Sequence, residues 1–420
     1  EILGLTFTRK AAGELSGRIR KRLRQLQKVG LLPTDPETGL PQDIAVEVST
    51  YHSYAGRALK EYGILLGIDS SVEPIGEATA WQIAHNIVTR DGELEFPLTK
   101  TPKSIVEKVM SLSSQIAEHN VTIDEVESID RAKLAEFEAL TGQTNDATRD
   151  AVTVLKERLT ILRMVREYDG YRRSQGQLTF DDHMALAARL SEEVKEMSVR
   201  ESARYKVVLL DEYQDTSFSQ VRFLSNLFGN SGHSVTAVGD PHQSIYGWRG
   251  AAAQTLEDFG KRFASQGTPC IEFNLLTTWR NDLQVLDYAN LIIDHHAAAI
   301  NAKAGGAAPS TVKRLSIRPN AGEGQVYAGR YLTRQDEAEA IADYFEKLWN
   351  GSEKRPTCAV LVRTKSYIGD IENALRARGL PTEVVGLGGL IHVPEIADII
   401  AVLRSITFPD RGTALARLLV

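Results

Sequence analysis

The sequence predicts an α/β fold with parallel strands. Two observations support this prediction: two short β-rich runs, and a long region of helical pattern that precedes them. The runs are Val207–Leu210 and residues 234–238, and each leads directly into a polar turn. Four consecutive apolar residues are typical of a parallel strand that is buried on both faces. Amphipathic helical patterns dominate from about residue 78 to residue 190. We therefore expect a parallel sheet interrupted by a helical insert. A second pattern of strands and helices begins at about residue 270, with strands expected near residues 271–273, 326–330 and 359–362.

A pair of carboxylates, Asp211 and Glu212, follows the first run directly. In open α/β sheets, ligands bind in the crevice outside the carboxyl ends of the strands. A carboxylate at that position suits a magnesium ion, and its neighbour suits the activation of a water molecule. The alternative is that the two acidic residues simply begin a loop, because short motifs carry a real risk of false matches.

A second motif follows the other run and strengthens the first. The chain turns at residues 239–241 (Gly-Asp-Pro) and then presents Gln243, Tyr246, Trp248 and Arg249 within a few residues. An amide, two aromatic rings and a guanidinium group thus stand within a short span after a second β-rich strand.

These two stretches, residues 211–216 (Asp-Glu-Tyr-Gln-Asp-Thr) and 239–251 (Gly-Asp-Pro-His-Gln-Ser-Ile-Tyr-Gly-Trp-Arg-Gly-Ala), resemble motifs II and III of the UvrD/Rep/PcrA group of superfamily 1 DNA helicases. Further stretches resemble the other motifs of this group in the same order. They are residues 5–12 for motif Ia, 49–54 for motif Ib, 178–182 for the Phe-Asp-Asp signature, 278–281 for motif IV, and 359–364 with 386–398 for the passage into the second inserted subdomain.

The resemblance implies two RecA-like P-loop NTPase motor domains, both incomplete in this chain, with a helical insert. We expect five segments along the sequence. They are the first RecA-like domain in two parts (residues 1–77 and 191–268), its helical insert (78–190), a partial second RecA-like domain (269–387), and the start of a helical insert in the second domain (388–420).

One expected motif does not occur in these 420 residues. Motors of this group carry a loop ending in Gly-Lys-Thr or Gly-Lys-Ser, whose backbone N–H groups and lysine hold phosphates at a helix N-terminus. Neither tripeptide is found between Glu1 and Val420. We therefore expect an internal fragment of a longer helicase, and we expect the fragment alone to be inactive as an ATP hydrolase.

The resemblance implies ATP and Mg²⁺ as cofactors and assigns the residues that would act on them. Asp211 would hold Mg²⁺, Glu212 would activate the attacking water, and Gln243 would sense the γ-phosphate. Arg280 would reach the γ-phosphate from the second domain. Trp279 would stack on adenine in place of the usual tyrosine.

Motif IV departs from the family pattern at Trp279, and the asparagine that usually precedes this aromatic residue is absent. The Trp-Arg pair hints at the RecB-like or actinobacterial helicase-nuclease branch. The alternative for Trp279 is an ordinary buried core aromatic.

The resemblance also assigns residues that contact DNA, because single-strand translocases use aromatic faces for bases and donors for phosphates. Phe7 and Trp248 would stack on bases, with core packing as the alternative for both. The supporting contacts would come from Thr50, His52, Tyr246 and Arg249.

Composition places limits on the other classes of protein. The chain has 49 Lys and Arg against 55 Asp and Glu, a net charge of −6 that gives no global signature of nucleic-acid binding. Residues 18–24 nevertheless contain five cations, which either contact phosphate or form a solvated helix face. Cys270 and Cys358 indicate a reducing compartment. No apolar run is long enough for a membrane span and no signal pattern opens the chain, so the expected location is the cytoplasm.

The sequence thus predicts a piece of an ATP-dependent DNA helicase or translocase that moves 3′ to 5′ on single-stranded DNA and acts at duplex junctions. Repair or recombination proteins are the expected partners. Two alternatives stay open: a catalytically inactive DNA-binding or assembly subunit with the same fold, and the motor portion of a recombination helicase-nuclease.

Overall fold

The computed structural model of this chain divides into two compact units, residues 1–276 with 309–314 and residues 277–308 with 315–420. It describes residues 2–32, 46–68, 74–90, 94–139, 146–229, 232–247, 250–251, 254–264, 268, 270–303, 314–385, 394–407 and 417–418.

The first unit is built on a four-stranded, fully parallel sheet with the strand order β2-β1-β3-β4. The strands are β1 (Ile2–Thr6), β2 (Val46–Thr50), β3 (Val207–Leu210) and β4 (Ser234–Ala237). Leu3, Leu5, Val208 and Leu210 of the two central strands are buried in one core. The parallel strands predicted at residues 207–210 and 234–238 are therefore confirmed, with β4 ending at Ala237.

Helices surround the sheet and form the region between β2 and β3. The helices of the first unit are α1 (Arg9–Lys28), α2 (Tyr51–Tyr62), α3 (Glu77–Val88), α4 (Pro102–His119), α5 (Ile123–Ala139), α6 (Asp146–Ser174), α7 (Phe180–Glu193), α8 (Lys195–Arg204), α9 (Phe218–Phe228), α10 (Gln254–Glu257) and α11 (Phe259–Phe263). Thr8 and Thr50 cap α1 and α2, because each side chain accepts a hydrogen bond from a backbone N–H of the first helical turn. A threonine side chain thus caps the helix that follows each of the neighbouring strands β1 and β2.

The helical insert has a core of its own. Apolar residues of α3, α4, α5 and α6, such as Val106, Val109, Leu162 and Val165, are buried together apart from the core of the sheet. The helical character expected between about residues 78 and 190 is confirmed in the described residues. The exact boundaries of the expected domains stay predictions.

A buried arginine joins helices α6 and α7. Arg172 of α6 is 1% exposed, donates to Asp169 Oδ1 at 2.7 Å and to the carboxylate of Asp182, and lies 4.5 Å from the ring centre of Tyr168. Asp182 also accepts from the backbone N–H of Thr179 at 2.7 Å, which closes the capping box of α7. Through this cluster the Phe-Asp-Asp signature fixes the start of α7 against α6.

We expect Arg172→Leu to lower the free energy of unfolding of the first unit by about 3–5 kcal/mol, because Asp169 and Asp182 would then be left as uncompensated carboxylates. The measurement is urea unfolding followed by circular dichroism. Arg173→Leu is the matched control, since Arg173 is exposed on the same helix, and it should change stability by no more than about 0.5 kcal/mol. Equal effects of the two substitutions would show that the buried cluster contributes nothing special.

The second unit contains four helices among its described residues: α12 (Leu283–Lys303), α13 (Arg334–Asn350), α14 (Ile368–Ala377) and α15 (Pro394–Thr407). Two short parallel strands, β5 (Thr277–Thr278) and β6 (Ser316–Ile317), precede α12 and follow it. A small core forms where α13 packs on α14, around Ala338, Ala342 and Leu375.

Three strands predicted from the sequence do not form. Residues 271–273, 326–330 and 359–362 are described without any strand pairing, so this prediction is wrong. A strand is stabilised by ladder hydrogen bonds and by burial of one face. Phe273 is 83% exposed and Leu361 is 95% exposed, whereas Val360 and Val362 pack against the core of α13 and α14. None of the three segments is paired with a neighbouring strand, so the apolar pattern alone does not make a ladder.

Candidate functional site

The carboxyl edge of the four-stranded sheet brings the two predicted motifs together. β3 ends at Leu210 and β4 at Ala237, and backbone hydrogen bonds continue the pairing past both ends. The N–H of Asp211 donates to the carbonyl of Leu5 at 2.8 Å, and the N–H of Val238 donates to the carbonyl of Leu210 at 2.8 Å. Asp211 therefore leaves the sheet at a fixed position beside the end of β1.

Asp211 is held by both its backbone and its side chain. The hydroxyl of Thr6 lies 3.4 Å from Asp211 Oδ2, and the phenol of Tyr51 donates to the backbone carbonyl of Asp211 at 2.9 Å. Burial, followed by the neighbouring Tyr213 and the two carboxylates, raises the pKa of Tyr51 well above its usual value. Tyr51 consequently stays protonated and remains a donor.

The donor set at Asp211, a carboxylate beside a hydroxyl, suits Mg²⁺. Within the described part of the chain, no group of three or more His, Cys, Asp or Glu side chains that could hold a metal is found. Mg²⁺ commonly uses one or two carboxylates and takes its other ligands from water and substrate phosphates. A half-buried Asp211 beside a hydroxyl matches that donor set.

Glu212 has an unusual backbone conformation. Its φ of 50° and ψ of 40° lie in the left-handed region, where residues with a side chain are uncommon. Its side chain is exposed, and Gln214 Nε2 donates to Glu212 Oε2 at 2.8 Å. Strained backbone of this kind persists only where surrounding contacts determine it, so the structure holds this carboxylate in one orientation.

Gln214 is the residue that reasoning from sequence missed. It is 1% exposed, its Oε1 accepts from the N–H of Asp240 at 3.1 Å, and its backbone carbonyl accepts from the hydroxyl of Ser244 at 3.1 Å. One buried amide therefore connects Glu212, after β3, with the loop after β4. Its place inside the first motif, between two acidic residues, was the only available signal.

Gln243 belongs to the same network. It ends a short 3₁₀ turn, Pro241–Gln243, and its exposed amide donates to Asp240 Oδ2 at 2.9 Å. Hydrogen bonds therefore run from Glu212 through Gln214 and Asp240 to Gln243. We call these four residues the polar relay.

Asp215 also lies at this site and was not singled out from the sequence. It is buried and accepts from Gln214 Nε2 at 3.3 Å. Burial raises the pKa of its carboxyl, the charge of Glu212 adds to the shift, and a hydrogen bond from the backbone of Ile245 opposes it. The raised pKa means that Asp215 holds its proton to higher pH than an exposed aspartate does.

Two aromatic residues from different motifs meet at the same edge. The ring centres of Phe7 and Tyr246 are 4.6 Å apart with an angle of 32° between the rings, and both side chains are half-buried. Phe7 follows β1, whereas Tyr246 follows the 3₁₀ turn that ends at Gln243. The pair offers an aromatic surface next to the polar relay.

The other expected site residues have different positions. Thr50 is buried as the cap of α2, where its hydroxyl accepts from the N–H of Ser53 at 3.1 Å, and His52 is half-buried in the first turn. Trp248 and Arg249 lie outside the described residues. Trp279 and Arg280 belong to the second unit; Trp279 is 73% exposed, which does not support the alternative of a buried core aromatic.

We expect Gly239→Ala to disrupt the polar relay, because a Cβ at Gly239 would lie 2.5 Å from Gln214 Oε1 and 3.1 Å from Gln214 N. Overpacking of this kind typically costs about 1–3 kcal/mol of stability. Gly247→Ala is the matched control, since a Cβ there meets nothing within 4 Å. Urea unfolding of both variants checks the expectation, and a harmless Gly239→Ala would contradict the tight packing of Gln214.

A parallel sheet with carboxylates after one strand and a glutamine-bearing turn after the next is the arrangement of the RecA-like motor class. Comparison with protein families gives the narrower assignment. The UvrD/REP helicase N-terminal domain matches residues 1–264, and the UvrD-like helicase C-terminal domain matches residues 273–420. The chain belongs to the UvrD/Rep helicase family, and the expected resemblance is confirmed.

Individual relatives agree with the family. The chain is 26% identical to the ATP-dependent DNA helicase UvrD1 of Mycobacterium tuberculosis (strain ATCC 25618 / H37Rv) over 428 residues, which cover 100% of this chain and 48% of the relative. It is 26% identical to the ATP-dependent DNA helicase PcrA of Leuconostoc citreum over 420 residues, which cover 99% of this chain and 48% of the relative. The chain thus spans about half the length of these curated relatives. Among the described residues, no helix is long and apolar enough to cross a membrane.

Proposed function

We propose that this chain is motor machinery of an ATP-dependent DNA helicase that couples ATP hydrolysis to 3′–5′ movement on single-stranded DNA. The observation that carries the proposal is the polar relay, which joins the carboxylate beside the expected nucleotide to the loop that leads into Tyr246. Family membership supports the helicase class. The direction of movement and the junction and protein partners rest on the resemblance of the motifs.

The chemistry is phosphoryl transfer to water, in which a protein mainly positions groups and stabilises charge. Bound Mg²⁺·ATP would supply the phosphoryl group and neutralise its developing charge. Asp211 would hold the ion, and Glu212 would orient and deprotonate the attacking water. Gln243 can accept from that water and donate to a phosphate oxygen, because its amide carries both functions. Trp279 would stack on adenine, and Arg280 would contact the γ-phosphate.

The polar relay provides a route by which hydrolysis and DNA binding would influence each other. Gln243 is three residues before Tyr246 in the chain, and Ser244 between them is bonded to the carbonyl of Gln214. A change at Glu212 would therefore reach the aromatic pair through hydrogen bonds and a short length of backbone. Trp248 and Arg249, with Thr50 and His52, would extend the DNA contact on either side.

The test of the DNA path is Tyr246→Ala in the 420-residue chain. Loss of one stacking ring should weaken binding of a fluorescent oligothymidylate by about 1–3 kcal/mol, measured by anisotropy. Tyr171→Ala is the matched control, because Tyr171 is an exposed aromatic of the helical insert, and it should bind DNA as the unaltered chain does. Equal affinity of all three proteins would remove Tyr246 from the path.

We expect the 420-residue chain to bind ATP poorly, because it carries no Gly-Lys-Thr or Gly-Lys-Ser sequence to hold the phosphates. Titration with a fluorescent ATP analogue should not saturate at low micromolar concentration. A tight isotherm that depends on Mg²⁺ would contradict this expectation. In a longer form that includes such a loop, Glu212→Gln should preserve nucleotide binding while lowering turnover by roughly 10²-fold or more.

A second candidate function is a catalytically inactive DNA-binding or assembly subunit with this fold. Such a subunit would still bind DNA through the aromatic pair. It would not gain ATP hydrolysis in any longer form of the protein, and a DNA-stimulated ATPase assay separates the two candidates. The motor portion of a recombination helicase-nuclease would hydrolyse ATP and also carry nuclease activity elsewhere in the protein.

A further inference from the structure

The far half of α1 carries a dense group of positive charge that the proposed ATP and DNA sites do not use. Its members are Arg18, Arg20, Lys21, Arg22, Arg24 and Lys28, which we call the cationic face. All six side chains are exposed, and α1 contains a single acidic residue, Glu14. This local excess stands in a chain whose net charge is −6.

Several exposed arginines of the helical region are paired with acids. Arg131 contacts Glu95 at 2.7 Å and Glu127 at 2.8 Å, and Arg189 contacts Glu193 at 2.6 Å. On the cationic face, the only ion pair to a described residue is between Arg18 and Glu14, at 4.0 Å with both side chains largely exposed. Among the residues that the structure describes, the rest of the cationic face therefore has no acidic partner.

The spacing on α1 also opposes helix formation. Arg18 and Arg22, Arg20 and Arg24, and Arg24 and Lys28 are each four residues apart, and like charges at that spacing repel on a helix. Packing does not explain the repetition, because α1 turns Ala12, Leu15, Ile19 and Leu23 towards the sheet and the charges away from it. A bound polyanion would remove the repulsion.

The cationic face lies on the helix that begins next to the aromatic pair. α1 starts two residues after Phe7 and packs along β1 and β2. It has 20 residues and is about 30 Å long, whereas the five-residue strand β1 spans about 17 Å. The helix therefore runs from beside the aromatic pair to beyond the start of the strands. The cationic face occupies its second half and begins about 14 Å from the first helical residue.

Two glycines without side chains lie on α1 between Phe7 and the cationic face. Gly13 and Gly17 lie on the same side of α1 as Lys21, Arg24 and Lys28, because these positions recur at intervals of three and four. A Cβ at either glycine would meet nothing within 4 Å, so no packing within the chain requires a glycine there. A phosphate backbone can approach the helix closely along this strip.

We propose that the cationic face binds the phosphate backbone of single-stranded DNA that continues from the Phe7–Tyr246 pair along α1. The contact is independent of base sequence, since guanidinium and ammonium groups on a helix surface neutralise phosphates without reading bases. This proposal rests on the proposed function for the course of the DNA strand past Phe7 and Tyr246. It adds the cationic face as a second DNA-binding surface.

The test compares two triple variants of the 420-residue chain with the same change in net charge. The first is Lys21→Gln, Arg24→Gln and Lys28→Gln. The second, the matched control, is Lys133→Gln, Arg149→Gln and Lys156→Gln, which removes cations that pair with acids in the helical insert. The affinity for oligothymidylate is measured over a range of salt concentrations.

We expect the first variant to lower the slope of log affinity against log salt by about 2, because each single-strand phosphate contact contributes about 0.7. The control should keep the original slope. Circular dichroism should show no loss of helix in the first variant, since it removes like-charge repulsion. A slope equal to that of the control would overturn the proposal and leave an acidic protein surface as the alternative partner.

Tyr246→Ala separates this proposal from the proposed function. Loss of stacking should weaken binding at every salt concentration without changing the slope, whereas loss of the cationic face changes the slope. If Tyr246→Ala has no effect and the triple variant lowers the slope, the aromatic path fails and the cationic face stands.

Discussion

Parallel pairing of β3 between β1 and β4 is the constraint on which the rest of the site depends. Because all three strands run in the same direction, their carboxyl ends lie at one edge. The register places Leu5 beside Leu210 and Leu210 beside Ala237, so Phe7, Asp211 and the turn after β4 leave the sheet together. A carboxylate, an amide and two aromatic rings, far apart in sequence, share an edge for this reason alone.

The second constraint is the close approach of two backbones at Gln214 and Gly239. Gln214 must be buried to bond both Glu212 and the N–H of Asp240, and it leaves no room for a side chain at position 239. A buried amide with satisfied partners fixes geometry more firmly than a surface contact, because breaking one bond leaves an unsatisfied polar group in a dry place. The left-handed backbone of Glu212 is held by these surroundings.

Sequence reasoning was sound where a local pattern determines the structure. The apolar run before Asp211 and the β-rich run before Gly239 both became buried or partly buried parallel strands, and the periodic stretches of the insert became helices. It missed Gln214, because nothing in a single sequence shows that an amide will be buried against a glycine 25 residues away. It was wrong for residues 271–273, 326–330 and 359–362, because β-propensity reports a tendency whose realisation needs a partner strand and a covering layer.

The net charge of the whole chain and the charge around α1 have different consequences for DNA binding. A net charge of −6 argues against nucleic-acid binding only if charges act as an average over the whole surface. Salt limits their reach to about 8–10 Å under ordinary conditions, so a phosphate beside α1 would respond to the nearest side chains and not to acids on the far side of the protein. Along α1 itself, Glu14 is the one acid among these cations, and ion pairs such as Arg131 with Glu95 and Arg189 with Glu193 neutralise charge elsewhere. An acidic protein can therefore present a basic track, and the aromatic pair at the start of α1 gives that track an origin.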